Sequence, residues 1–138
     1  FPPDIGIIIE KPELLPYLSG LENLKLLAEI RNIISYDDIK HYMDKFGLNF
    51  NSKQIVKKYS LGMKQKLGII QAIMEDPSLL LLDEPFNALD AESVDILRSI
   101  LLQYKEQGKL IILTSHHQED IMSVCNQVIH LQDGCILN

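Results

Sequence analysis

The sequence predicts an α/β fold, a parallel sheet core that carries a helical insertion, and three observations lead there. "IGIII" (5–9), "LLLL" (79–82) and "LIILT" (110–114) are short continuous apolar runs of strand length, and the first, rich in isoleucine, bears the mark of a strand buried on both faces. The segments between them repeat apolar residues at i, i+3, i+4 and i+7, which is the period of helices. Across 138 residues the chain is 46% hydrophobic and 23% charged, a composition that suits a globular fold with a real core.

Taken in order, the first run stops at "EKPELLP", where two prolines forbid its continuation. Two helices follow. Ser19 with Glu22, and Ser35 with Asp38, fit the S-x-x-[DE] capping box, and Leu24, Leu27, Ala28 and then Ile39, Tyr42, Met43, Phe46 keep helical spacing. A third helix starts at Ser60, carries Met63, Leu67, Ile70 and Met74 on one stripe, and stops before Pro77. After the strand at 79–82, a helix runs from Asp90 to Gln107 with Val94, Leu97, Leu101 and Tyr104 inward, and Gly108 closes it. Strand 110–114, helix 117–126 and strand "VIHL" (128–131) complete a β-α-β-α-β order, which predicts parallel pairing and right-handed crossovers. Asp133-Gly134 then turns the chain into a hairpin whose second strand is "CILN". The expected division is a core of residues 1–12 and 77–138 and a helical subdomain of residues 13–76.

Charge and composition exclude several roles. A net charge of -6 and a pI near 5.1 do not fit a broad phosphate-neutralising surface, so no nucleic-acid partner is expected. No apolar run approaches the ~18 residues of a membrane span, and no signal-peptide pattern opens the chain. Cys125 and Cys135 show no metal or redox spacing and read as reduced thiols.

In open parallel sheets the ligand site lies beyond the carboxyl ends of the strands. Glu10 falls there after the first strand, Asp83 and Glu84 after the second, Ser115 and His116 after the third. An unpaired carboxylate is costly in a core, so the acid doublet that ends a leucine run must emerge, or face a cation or an ordered water. Pro85 biases Glu84 away from the helical region. Taken alone, each feature has an ordinary alternative. A strand-ending acid often caps the next helix, Ser60 fits an N-cap, and Gly62 fits a loop. Lys64 and Lys66 read equally as positive potential or as a solvated helix face.

Together and in this order, "YSLGMKQKLGIIQAIMEDPSLLLLDEPFNALD" (59–90) followed by "IILTSHH" (111–117) resembles the nucleotide-binding subunit of ATP-binding cassette (ABC) transporters, over the chain from Ile5 onward. The resemblance implies a P-loop NTPase-like core with a helical subdomain, and ATP and Mg²⁺ as cofactors. Asp83 resembles the Walker B aspartate that helps hold Mg²⁺, and Glu84 the catalytic glutamate that orients the water attacking the γ-phosphate. "NALD" resembles the D-loop, which gives Asp90 a part in communication between subunits, and His116 resembles the switch histidine. "SLGMKQ" (60–65) is similar to the signature loop, with Leu61 and Met63 departing from the usual LSGGQ. Ser60, Leu61, Gly62 and Met63 would thereby reach ATP held by a second subunit, offering a hydroxyl and backbone N–H groups at a helix N-terminus. Glu10 stands where the family usually has the Q-loop glutamine and is a second expected Mg²⁺ ligand. The segment after it, "KPELLPYLSGLENL", abuts the permease in the family.

The P-loop pattern G-x-x-x-x-G-K-[ST] does not occur. Gly108-Lys109 is followed by Leu110, and Gln103 stands where the first glycine belongs. The chain therefore reads as the later part of a cassette, cut at both ends, with Phe1 inside a turn before the first strand. The resulting expectation is an ATP-hydrolysing subunit of a bacterial exporter, cytoplasmic and peripheral on the membrane through a permease, working as a dimer. The isolated 138 residues are expected to be inactive and to self-associate. A soluble ABC-type ATPase and a non-catalytic interaction module are the alternatives.

Overall fold

A computed structural model of the chain describes residues 4–137. Three parallel strands, β1 (Ile5–Ile8), β2 (Leu79–Asp83) and β3 (Leu110–Thr114), form one sheet in the order β1-β2-β3. Ile8 pairs with Leu82, and Asp83 with Thr114, so the carboxyl ends of the strands are level and their acids share one rim. Asn138 and residues 1–3, with the turn expected at Phe1, lie outside the described residues.

Between β1 and β2 come α1 (Gly20–Arg31), α2 (Tyr36–Lys45), a 3₁₀ turn (Val56–Lys58) and α3 (Leu61–Ile73). Both capping boxes form. Ser19 Oγ accepts from the Glu22 N–H at 3.2 Å while Glu22 accepts from the Ser19 N–H at 2.7 Å, and Ser35 with Asp38 repeats the exchange. These helices meet over a core of Leu24, Ala28, Ile39, Met43, Phe46, Val56, Leu67 and Ile70, all buried. Asn23 is buried too, and it bonds the backbone of Leu15 and Ser19, closing the turn that follows the prolines.

The third helix packs directly on β1. A Cβ on Gly6 would lie 2.0 Å from the Ala72 carbonyl oxygen, so this approach of helix to strand requires glycine. After β2 the chain forms α4 (Ala91–Glu106), whose Leu97, Leu101 and Tyr104 are buried as their spacing predicts, then β3 and α5 (Gln118–Val124).

Three expectations are corrected. Ile9 lies outside β1, because the chain turns at Glu10 with φ +54°. The fifth helix is shorter than 117–126 at both ends. The strand expected at 128–131 as a further parallel member is β4 (His130–Gln132), and among the described residues it pairs antiparallel with β5 (Cys135–Leu137) and not with the sheet. Asp133 and Gly134 both have positive φ, as a two-residue type I′ connection needs. That turn brings Cys135 directly back beside Gln132, so β5 pairs with β4 locally.

Candidate functional site

The rim at the carboxyl end of the sheet gathers Asp83, Glu84, Thr114 and His116. Asp83 ends β2 and lies in register with Thr114, whose hydroxyl donates to Asp83 Oδ1. The other oxygen, Oδ2, accepts from the Glu10 N–H at 3.3 Å. The doublet thus links all three strand ends, and Asp83 stays a hydrogen-bonded carboxylate at the surface rather than a buried orphan.

Glu84 sits at φ +48°, left-handed rather than extended, a conformation uncommon outside glycine. Its N–H donates to the Thr114 carbonyl at 3.2 Å and to Thr114 Oγ1 at 3.1 Å. From that pinned backbone the carboxylate reaches out to His116, with Glu84 Oε1 3.0 Å from Nε2. The Glu84 side chain is 19% exposed and the His116 side chain 90%, so one partner is sheltered by the fold and the other stands in solvent. His116 follows β3 on a short loop where Ser115 Oγ accepts from the His117 N–H at 3.1 Å. Farther in, buried Asp120 pairs with Arg98 at 2.9 Å and ties that loop's helix to α4.

The signature-like residues occupy the start of α3. Ser60 is its N-cap, accepting from the Met63 N–H at 3.1 Å, and Leu61 is exposed. The first N–H groups of a helix have no partner within it, so this end offers donors to an anion. Gly62 lies against the loop after β2, where a Cβ would stand 2.7 Å from the Ala88 carbonyl oxygen. Asp90 caps α4 by accepting from the Ser93 N–H at 2.8 Å, and its second oxygen meets Lys66 Nζ at 2.6 Å. The Lys66 hydrogen bond, then those from Ser93, hold the Asp90 carboxyl well below the usual carboxylate range.

Asp83, Glu84, His116 and the Glu10 backbone therefore come together, while Ser60–Met63 and Asp90 form a neighbouring cluster around the start of α3. Glu10 meets Asp83 through its N–H, and its carboxylate is absent from the site's hydrogen bonds. Thr114 and Gln65 were missed by sequence reasoning. The polar last residue of "LIILT" hinted at Thr114, but Gln65 read as one more polar position on a helix.

The donor set fits Mg²⁺. Each Asp83 oxygen already accepts one hydrogen bond and keeps lone pairs for water, and Mg²⁺ retains several of its waters beside one or two carboxylates and phosphate. Among the described residues no group of three or more His, Cys, Asp or Glu side chains is placed to hold a metal by itself. None of their helices is long and apolar enough to cross a membrane.

Comparison with known proteins places the chain in a family. A family model described as ABC transporter matches residues 1–87. An ABC transporter ATP-binding protein of Bacillus subtilis, of uncharacterised function, is 50% identical over 135 residues, covering 97% of this chain and 62% of that protein. A bacitracin transport ATP-binding protein of Enterococcus faecalis is 37% identical over 94% of this chain and 42% of its own length. A lantibiotic transport ATP-binding protein of Streptococcus pyogenes is 36% identical over 96% of the chain and 58% of its own. The chain thus spans about two fifths to three fifths of the length of these relatives. Among solved structures, an ATP-binding subunit of an ABC transporter superposes with a TM-score of 0.83 at 27% identity, over 95% of this chain and 56% of that one. An ATP-binding cassette dimer bound to ADP and phosphate shares the fold, with a TM-score of 0.80 at 23% identity, over 98% of this chain and 61% of that one. With a family model over more than half of its residues, the chain belongs to the ABC transporter family of ATP-binding proteins.

Proposed function

We propose that the chain supplies the water-activating half of the ATP site in the ATP-binding subunit of a bacterial ABC exporter. The observation that carries this reading is Glu84, a carboxylate on a pinned left-handed backbone, next to Asp83 and 3.0 Å from His116. Glu84 orients and polarises the attacking water, and His116 steadies that carboxylate and faces the γ-phosphate. Asp83 would hold Mg²⁺, with Glu10 as the second carboxylate expected for it. When bound, Mg²⁺ neutralises charge that develops on the phosphoryl oxygens.

Ser60, Leu61, Gly62 and Met63 contact the nucleotide of a second subunit, and Asp90 belongs to the same interface. The core (1–12 and 77–138) and the helical part (13–76) act as the two bodies of the subunit. A transmembrane permease is the other partner. Exposed Leu15 and Tyr17, with Lys57 5.3 Å over the Tyr17 ring, suit that docking. The subunit sits in the cytoplasm, peripheral on the inner face of the membrane through its permease. Relatives named for bacitracin and lantibiotic transport support a transporter subunit.

Replacing Glu84→Gln in the complete ATP-binding subunit tests the reading. It is expected to keep ATP binding, lose most turnover and accumulate an ATP-bound dimer. Unchanged steady-state hydrolysis would rule out the role of Glu84.

A further inference from the structure

Three contacts join the start of α3 to the loop between β2 and α4, and one of them lands on Glu84. Gln65 is buried, and its Nε2 donates to the Pro85 carbonyl at 3.0 Å and to the Glu84 carbonyl at 3.4 Å. One turn earlier Gly62 abuts the Ala88 carbonyl, and the next residue, Lys66, bonds Asp90 at 2.6 Å. Positions 62, 65 and 66 are i, i+3 and i+4, so one face of the helix carries all three contacts.

That loop needs outside support. Glu84 and Ala88 both have positive φ, at +48° and +61°, a conformation that persists only where surrounding structure over-determines it. Thr114 holds the N–H of Glu84 from the sheet side, and Gln65 holds its carbonyl from the helix side. A side chain that merely filled space there would not need two amide hydrogens aimed at two successive carbonyls.

We propose that Gln65 is a positioning residue for Glu84. It fixes the backbone of the acid against α3, with Lys66–Asp90 as a second tie, so that a displacement of the α3 N-terminus is transmitted to the carboxylate. The signature-like end of the helix and the water-activating acid then move as one unit within a subunit. This inference rests on the reading of Glu84 given above.

The test uses the complete ATP-binding subunit. Gln65→Met keeps the length of the side chain and removes the donor. Its kcat is expected to fall about tenfold or more, as loosened positioning does, with KM for ATP changed less than about twofold. On a Glu84→Gln background the same change is expected to have no further effect on single-turnover hydrolysis, because a positioning residue acts through the group it positions. Full activity of Gln65→Met, or a loss that multiplies unchanged in the double variant, overturns the proposal. If Gln65→Met does not fold, Lys66→Met is read by the same cycle, with Lys66→Arg expected to restore kcat; full activity of Lys66→Met would then overturn the proposal. An active Glu84→Gln instead brings down the reading of Glu84, so the two failures are distinguishable.

Discussion

The imidazole of His116 projects into solvent and meets Glu84, so its burial contributes little to the fold. His116→Ala in the complete subunit is therefore expected to lower ATP hydrolysis at least about tenfold, as loss of a positioned polar group does. Unfolding free energy should stay within about 0.5 kcal/mol of the parent, the usual range for surface substitutions. Phosphate release and urea denaturation check the two arms, and loss of cooperative unfolding would mark a structural histidine. That Asp83, Glu84 and His116 gather at one rim was legible in the sequence, because polar groups just past an apolar run are a local anomaly. Thr114 and Gln65 were not, because their partners lie 31 and 19 or 20 positions away, at separations fixed by register and helix packing. Glu84 shows the same limit. Pro85 disfavours the right-handed helical region, yet the left-handed conformation adopted depends on bonds from two other elements.

At the scale of elements, the local helix signals and the parallel pairing of β1, β2 and β3 came through, and the sheet membership of β4 did not. The capping boxes at Ser19 and Ser35 fix both helix starts within four residues of sequence, and both form. Among the described residues β4 pairs with β5 and not with the sheet, and apolar periodicity does not record which partner a strand takes. Ser35→Ala should cost about 1 kcal/mol of stability near neutral pH, typical of a lost N-cap, while Ser35→Thr should cost much less. The cost has a pH signature. The Ser35 side chain, then its N–H, lowers the Asp38 pKa in the folded protein. That contribution is present above the ordinary carboxylate value of ~3.9 and fades as pH falls through the lowered folded value. The gap between parent and Ser35→Ala should therefore narrow on acidification. Denaturation midpoints at several pH values check it, and a constant gap would exclude the Asp38 contribution.

For the whole molecule the telling asymmetry is between the faces of the sheet. Ile8, Leu80 and Leu82 are buried, whereas Ile7, Leu110 and Ile112 are 38%, 59% and 54% exposed. Parallel sheets are ordinarily covered on both faces, and here only one face is closed by the described elements. The edges are open too, since β1 and β3 each pair with β2 alone among the described residues. Unpaired strand edges template pairing with another chain. Apolar burial contributes roughly 25 cal/mol per Å², so a face of a few hundred Å² supplies several kcal/mol, against a comparable entropic cost of association. A net of about -6 kcal/mol would be well populated at ~100 μM. The 138-residue chain is thus expected to form dimers or larger species at that concentration, through a contact that Ile112→Lys on the open face weakens. Sedimentation equilibrium showing monomer alone would refute self-association. Assembly unaffected by Ile112→Lys would move the contact to a strand edge, where main-chain hydrogen bonds rather than apolar area would carry it.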